Sequence, residues 1–123
     1  MEKRVLGQKK TPISAIGYGA MSFSDFYGAT DDEKSFAILD RCMDLGITHI
    51  DTSNVYGMGM SETRIGAYLE KQGKQGQDFF TIATKAGITS GPDGSRHYDN
   101  SFAHLENELD KSLRRLGLDR VEL

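Results

Sequence analysis

Tryptophan is absent from this chain of 123 residues, and cysteine and proline are scarce, with one Cys and two Pro. The single cysteine, Cys42, excludes an internal disulfide and is typical of a reducing compartment. No apolar run approaches the ~20 residues needed to cross a bilayer, and the N-terminus lacks the apolar core of a signal peptide. These absences predict a cytoplasmic protein with no membrane partner.

Excess positive charge is also lacking. Lysine and arginine number 15 against 18 acidic residues, which gives a formal net charge of −3. Without a basic block the chain has little to neutralise a phosphate backbone, so we expect no nucleic-acid partner. Histidine, cysteine and acidic residues do not cluster at metal-ligand spacing, and no metal site is predicted. The length suffices for one modest domain with a core.

What the chain does contain is an alternation of apolar strands and amphipathic helices, which predicts an α/β fold. Residues 1–14 are predicted to form a peripheral β-hairpin, because Pro12 cannot donate to a sheet ladder. A fourth strand is predicted to begin at residues 120–123. Between them, residues 16–117 are predicted to form three βα units, with strands at Ile16–Met21, Ile47–Thr52 and Phe79–Lys85.

Short connections between alternating elements favour parallel strands joined by right-handed crossovers. Residues 74–77 are predicted to be a polar connection and residues 87–98 a long loop. Two closures satisfy this order: an open doubly wound sheet, or part of a (β/α)8 barrel. A complete barrel takes ~250 residues, so in the second case the chain would form the N-terminal half of a TIM barrel.

Capping signals mark the start of each predicted helix. Thr30 opens a capping box with the glutamate three residues later. Ser61 is a good N-cap for the second helix, and the third helix is predicted to begin near Asp99. This third helix carries the clearest apolar face of the chain, formed by Phe102, Leu105, Leu109, Leu113 and Leu116.

Polar side chains stand at the ends of two predicted strands. Asp51 lies at the end of the second strand, Tyr56 follows in the loop, and Lys85 ends the third strand. The carboxyl ends of parallel strands share one edge, where ligands bind. An ammonium group near a tyrosine favours loss of the phenolic proton, so Tyr56 can act as a general acid while Asp51 holds Lys85. Carbonyl reduction needs such a proton together with a hydride from a nicotinamide cofactor.

A structural interpretation stays open beside this one. Asp51 and Lys85 can form an ion pair between adjacent strands, with Tyr56 as a packed loop aromatic. Lys85 is the stronger clue to function, because a lysine that ends an apolar strand needs a reason to be there. The two glycines of the first strand, Gly17 and Gly19, indicate that another group approaches the backbone closely.

Several stretches together resemble the aldo-keto reductases, in that family's order and spacing. The resemblance covers nearly the whole chain. Residues 87–98 and the helix after them resemble the branch that contains bacterial reductases and potassium-channel β subunits. The stretches that carry the resemblance are Gly19-Ala20-Met21, residues 46–57 with Asp51 and Tyr56, Ser61-Glu62, Ile82-Ala83-Thr84-Lys85 and residues 113–119.

The resemblance implies an N-terminal hairpin that closes the bottom of a (β/α)8 barrel. It also implies reduction of a small-molecule aldehyde or ketone with NADPH. It assigns Tyr56 as the proton donor, Lys85 as the cation that makes the tyrosine hydroxyl more acidic, and Asp51 as the partner of Lys85.

The cofactor contacts implied by the resemblance are Gly19, Ala20 and Met21, which would lie against the nicotinamide and its ribose, and Asp51. The family's fourth catalytic residue is a histidine placed a few residues beyond Leu123. None of the three histidines of this sequence occupies that position.

Two further functions therefore stay open: a catalytically incomplete half-barrel fragment, and a cofactor-binding regulatory subunit that turns over little carbonyl substrate. A fourth strand without its helix leaves a sheet edge bare, and a homo-oligomer is one way to cover it. Arg96, in the predicted loop, is expected to be merely exposed.

Overall fold

The computed structural model describes residues 1–123 and begins with a two-stranded antiparallel hairpin. Strand β1 (Lys3–Leu6) pairs with β2 (Thr11–Ser14). The backbone N–H of Ser14 donates to the hydroxyl of Thr48, and the backbone N–H of Thr48 donates to the hydroxyl of Ser14, each at 2.9 Å. The hairpin is therefore fixed to the segment that leads into the central sheet.

The central sheet has three short parallel strands in the order β3 (Gly17–Gly19), β4 (His49–Asp51) and β5 (Thr81–Ala83). Ile50 and Ile82 are register partners, and both are buried on the face that the helices cover. Because side chains alternate across a strand, the neighbouring positions point to the opposite face of the sheet. That second face is open, and it carries the polar side chains.

Close packing on the open face explains one of the two glycines in β3. Gly17 is the register partner of His49. A Cβ atom at Gly17 would lie 2.8 Å from Cδ2 of His49, so the glycine makes room for the imidazole ring. The sequence predicted that a close neighbour requires the glycine, and at Gly17 that neighbour is a side chain of the protein itself.

The helices are a 3-10 helix at Ala20–Ser24, α1 (Asp32–Leu45), α2 (Met60–Gln72), α3 (Lys74–Phe79) and α4 (Phe102–Leu116). Cys42 lies in the core, and burial raises the pKa of its thiol. No helix combines the length and the apolar character needed to cross a membrane. The core cluster is built from Ile50 and Ile82 together with Phe23, Leu39, Ile65, Tyr68, Leu69, Phe80 and Leu116.

The predicted helix starts differ from the observed ones by one to three residues. Asp31, not Thr30, caps α1, and its carboxylate accepts a 2.8 Å hydrogen bond from the backbone N–H of Lys34. Gly59 precedes α2 with a φ of 94°, and Ser101 caps α4. Serine, threonine and aspartate are all competent caps, so composition alone could not choose among neighbours.

Two stretches that were predicted to be irregular are regular. Residues 74–77 lie inside α3, and residues 87–98 contain β6 (Ile88–Ser90) paired antiparallel with β7 (Arg96–Tyr98). The backbone N–H of Gly91 closes the turn of this hairpin by donating to the carbonyl of Ser95 at 2.8 Å. Elements of three to six residues are too short to give a hydrophobic period.

The predicted fourth strand is not formed as a regular strand. Residues 120–123 nevertheless lie beside β5. The backbone N–H of Glu122 donates to the carbonyl of Ile82 at 3.3 Å, and the backbone N–H of Thr84 donates to the carbonyl of Leu123 at 3.0 Å. The segment therefore takes the position predicted for the strand without completing a ladder.

The apolar face that the sequence predicted for α4 is only partly buried. Leu116 and Ser112 are buried where the C-terminal part of α4 packs on α2. Phe102 is 80% exposed, and Leu105 and Leu109 lie at the surface. Periodicity identifies an apolar face, but it does not say which part of that face meets a neighbour.

The contact between α2 and α4 depends on Gly66. A Cβ atom there would collide with the carbonyl oxygen of Arg115 and lie 3.0 Å from Cα of Leu116. We expect Gly66→Ala to lower the free energy of unfolding by about 1–3 kcal/mol, because helix backbone cannot move aside as a side chain can. Urea unfolding followed by circular dichroism measures the change. A stabilised variant, as alanine's helix propensity alone would give, would contradict this packing.

Candidate active site

The ammonium group of Lys85 binds three acceptors from β4 and the residue after it. Its Nζ donates to both carboxylate oxygens of Asp51, at 2.9 and 2.8 Å, and to the backbone carbonyl of Thr52 at 2.6 Å. An ammonium group has three donors, so its hydrogen-bonding capacity is filled and its position is fixed. The Asp51 and Lys85 side chains are each 46% exposed.

Tyr56 lies beside this ion pair. The Nζ atom of Lys85 is 5.0 Å from the centroid of the Tyr56 ring, which is a cation–π contact. The chain after Tyr56 turns back through Gly57 at a φ of 60°, where a Cβ atom would lie 2.9 Å from Cβ of Ser24. No protein side chain hydrogen-bonds to the Tyr56 hydroxyl, which is therefore free to pair with a ligand. The fold thus brings the predicted residues Asp51, Tyr56 and Lys85 together.

Strand β3 places Gly19 next to the same group. Gly19 is the register partner of Asp51, and a Cβ atom at Gly19 would meet no atom within 4 Å. A flat ring can therefore approach the backbone here, so the residues present fit a nicotinamide beside Asp51. Met21 is half-buried, whereas Ala20 is fully buried and its carbonyl accepts a hydrogen bond from Ser61 at 2.8 Å. Any contact of Ala20 with a cofactor would have to use backbone atoms.

A cleft of about 620 Å³ opens on the other side of Tyr56. One wall is formed by residues that follow β3 and β4, including Met21, Phe26 and Val55. The β6–β7 hairpin forms the other wall. Small-molecule sites in proteins have volumes of this order, so Tyr56 borders a space that can hold a small compound.

Two adjacent residues at the start of α2 connect the ends of all three parallel strands. The hydroxyl of Ser61 donates to the carbonyl of Ala20, which follows β3, and shares a 2.8 Å hydrogen bond with the hydroxyl of Thr52, which follows β4. The next residue, Glu62, accepts a 2.5 Å hydrogen bond from the hydroxyl of Thr84, which follows β5. The three strand ends are thereby held in one arrangement.

Glu62 is fully buried, and a buried carboxylate needs a paired charge. Arg115 of α4 supplies that charge, with its Nε 2.6 Å from the second carboxylate oxygen of Glu62. Arg115 also donates to the hydroxyl of Ser112 at 3.2 Å. Because Thr84 directly precedes Lys85, this network positions the strand end that carries the ammonium group.

The role of Glu62 was missed by the sequence reasoning. Its partner Arg115 lies 53 residues away, and no local pattern links the two. One signal was available: Glu62 stands three residues before Ile65, on the apolar face of α2. A charged residue on a buried helix face must have a partner, which would have made it a candidate for a buried ion pair.

The loop that leads to Tyr56 is also attached to α4. The amide nitrogen of Asn54 donates to Glu108 at 2.9 Å, and Asn54 is buried. Glu108 in addition accepts from the Nζ of Lys111 at 2.7 Å. The hydrogen bonds from Lys111 and Asn54 hold the pKa of Glu108 below its usual range.

Sequence comparison identifies the family to which this geometry belongs. Residues 15–123 match the aldo/keto reductase family model. The chain belongs to the aldo/keto reductase family. It is 36% identical over 121 residues to the NADP(+) aldo-keto reductase yakc of Schizosaccharomyces pombe, and the match covers 98% of this chain and 34% of that protein.

Solved aldo-keto reductase structures share the fold. A Pseudomonas aeruginosa structure superimposes with a TM-score of 0.83 at 34% identity, covering 98% of this chain and 44% of the other. The holo form of a Bacillus halodurans aldo-keto reductase superimposes with a TM-score of 0.81 at 32% identity. That match covers 98% of this chain and 38% of the other. The chain thus spans about a third of the curated relative and has the fold of part of an aldo-keto reductase TIM barrel. The predicted family and fold class are confirmed.

Substituting Glu62 tests the buried network directly. Glu62→Gln keeps the shape of the side chain but leaves the Arg115 guanidinium unpaired, so we expect the free energy of unfolding to fall by about 3 kcal/mol. Glu70→Gln makes the same change at an exposed position of α2 and should stay within about 0.5 kcal/mol of wild type. Urea unfolding measures both. Equal stability of the two variants would mean that the buried pair does not hold the strand ends.

The lowered pKa of Glu108 makes its contribution to stability depend on pH. The unfolded carboxyl group binds protons more readily than the folded one, so the contribution is present above about pH 4.3 and is lost as the pH falls through the folded value. We expect Glu108→Gln to be less stable than wild type by about 1 kcal/mol at neutral pH, with the difference closing in acid.

Unfolding midpoints measured from neutral to acidic pH check this prediction. Glu106→Gln, an exposed substitution on the same helix, is the control and should run parallel to wild type. A Glu108→Gln curve that also runs parallel to wild type at every pH would show that the carboxylate of Glu108 does not bind Asn54 in solution.

Proposed function

We propose that this chain carries the proton-donating group of an NADP-dependent oxidoreductase that reduces aldehydes or ketones to alcohols. Tyr56 is the proton donor, Lys85 is the cation that favours release of its proton, and Asp51 holds Lys85 in place. The observation that carries the proposal is the Lys85 ammonium group, bound by three acceptors and 5.0 Å from the centre of the Tyr56 ring.

The arrangement matches the proton requirement of carbonyl reduction. A cation held beside a phenol stabilises the phenolate relative to the neutral form. Tyr56 can therefore give its proton to a carbonyl oxygen that gains negative charge. The three protons of the Lys85 ammonium group are hydrogen-bonded to Asp51 and Thr52, so the Tyr56 hydroxyl is the donor left to face a substrate. When bound beside Gly19 and Asp51, NADPH supplies the hydride.

Exposure argues against a purely structural role for the ion pair. The Asp51 and Lys85 side chains are each 46% exposed. Ion pairs exposed to this degree contribute at most about 1 kcal/mol to folding. The pair therefore has little to offer the stability of the chain, whereas its position between Gly19 and Tyr56 is what proton transfer to a bound carbonyl requires.

The choice of NADP follows from a relative, since yakc carries NADP(+) in its name. The residues of this chain would hold the nicotinamide end of that cofactor. Gly19 gives it room, Asp51 and Met21 border the space, and Ala20 contributes only backbone.

The test is NADPH-dependent reduction of a simple aldehyde by wild type, Tyr56→Phe and Lys85→Met. We expect each substitution to lower kcat/KM by about 10²–10⁴, the contribution of a positioned general acid. Free energies of unfolding should change by no more than about 1 kcal/mol, because the ion pair is half-exposed. Lys74→Met removes the ammonium group of an exposed ion pair on α3, outside the cleft, and is the control.

Binding of NADPH, followed by nicotinamide fluorescence, separates the other functions. Binding without turnover would favour a cofactor-binding regulatory subunit or a catalytically incomplete fragment. Neither binding nor turnover would refute the proposal. Full activity of Tyr56→Phe would also refute it, and a strongly destabilised Lys85→Met would return the ion pair to a structural role.

A further inference from the structure

The cleft beside Tyr56 contains one charged side chain, Arg96 of β7. No carboxylate lines the cleft, and Arg96 takes part in no hydrogen bond or ion pair through its side chain. The chain as a whole has a net charge of −3. Arg96 gives the cleft a positive charge, and a guanidinium without a partner retains its full capacity to bind an anion.

The β6–β7 hairpin places Arg96 at the edge of the cleft. Arg96 is the register partner of Ser90, and Ile88 lies two residues before Ser90 on the same strand. Directly opposed residues, and residues two apart on one strand, share a face of an antiparallel ladder. Ile88, Ser90 and Arg96 all line the cleft, as does Thr89 between the first two, so this end of the hairpin borders the cleft.

We propose that Arg96 binds an anionic group of the substrate, so that the cleft selects small aldehydes or ketones that carry a carboxylate or a phosphate. The carbonyl group lies at the Tyr56 hydroxyl, and the anionic group lies at the guanidinium. The fork of guanidinium donors binds both kinds of oxyanion in the same bidentate manner. Apolar contacts with Met21 and Phe26 would hold the carbon chain between the two ends. The inference rests on the proposed reductase function, because it assigns the carbonyl end to Tyr56.

Binding of the corresponding alcohol products tests this selectivity without cofactor or turnover. The probes are two matched pairs: 4-hydroxybutanoate with 1-butanol, and glycerol 3-phosphate with glycerol. Titrations of the isotope-labelled chain are followed by NMR at the Arg96 Nε–Hε and Tyr56 backbone resonances. We expect the anionic member of at least one pair to bind about tenfold more tightly than its neutral partner. The pair that shows the larger preference tells a carboxylate site from a phosphate site.

Arg96→Met is expected to reduce the ratio of anionic to neutral probe affinity to about one. Arg96→Lys is expected to retain part of that preference, because lysine keeps the positive charge as a point charge. Raising the ionic strength should weaken the binding of the anionic probes and leave the binding of the neutral probes unchanged. Arg41→Met, on the exposed side of α1 and outside the cleft, removes the same charge and should leave the preference unchanged.

Three results would overturn the proposal: equal binding within both pairs, no measurable binding of either anionic probe, or a preference that survives in Arg96→Met. An inactive protein that still binds anions through Arg96 would refute the reductase function and leave the anion site. An active reductase with no anion preference would refute the anion site and leave the reductase function.

Discussion

The buried carboxylate of Glu62 is the constraint on which the arrangement of the strand ends depends. Removing a carboxylate from water costs several kcal/mol unless a charge and hydrogen bonds compensate. The compensation comes from Arg115 of α4 and from Thr84, and it is available only when both lie against the start of α2. Charge pairing therefore couples a helix packing interface to the end of β5, where Lys85 begins the candidate site.

The two ion pairs of this region differ in their exposure to solvent. Glu62 and Arg115 are buried or nearly so, and their separation would leave an uncompensated charge inside the protein. Asp51 and Lys85 are half-exposed, so the fold tolerates changes at them more easily. The ammonium group of Lys85 is thereby placed both by its own three acceptors and by the buried network beside it.

Sequence reasoning was most successful where a local pattern has one physical meaning. Asp51 and Lys85 could be found because apolar strands end at or just before them, and the parallel sheet brings strand ends together. The helix starts could not be fixed, since Asp31 and Thr30 are both good caps and only tertiary position decides between them. The network around Glu62 was missed because its members are far apart in sequence. The partial burial of the α4 face was missed because periodicity carries no information about which neighbour is present.

The two glycines of β3 differ in the space around them. Gly17 is required by the fold, since the imidazole of His49 occupies the space that a side chain would fill. Gly19 meets nothing, and a larger residue there would leave the packing of the protein intact while closing the space beside Asp51. In a lineage that no longer used this site, Gly19 would be free to drift while Gly17 stayed fixed. The residue at the Gly19 position of related sequences would then distinguish those that keep the open space beside Asp51 from those that keep only the scaffold.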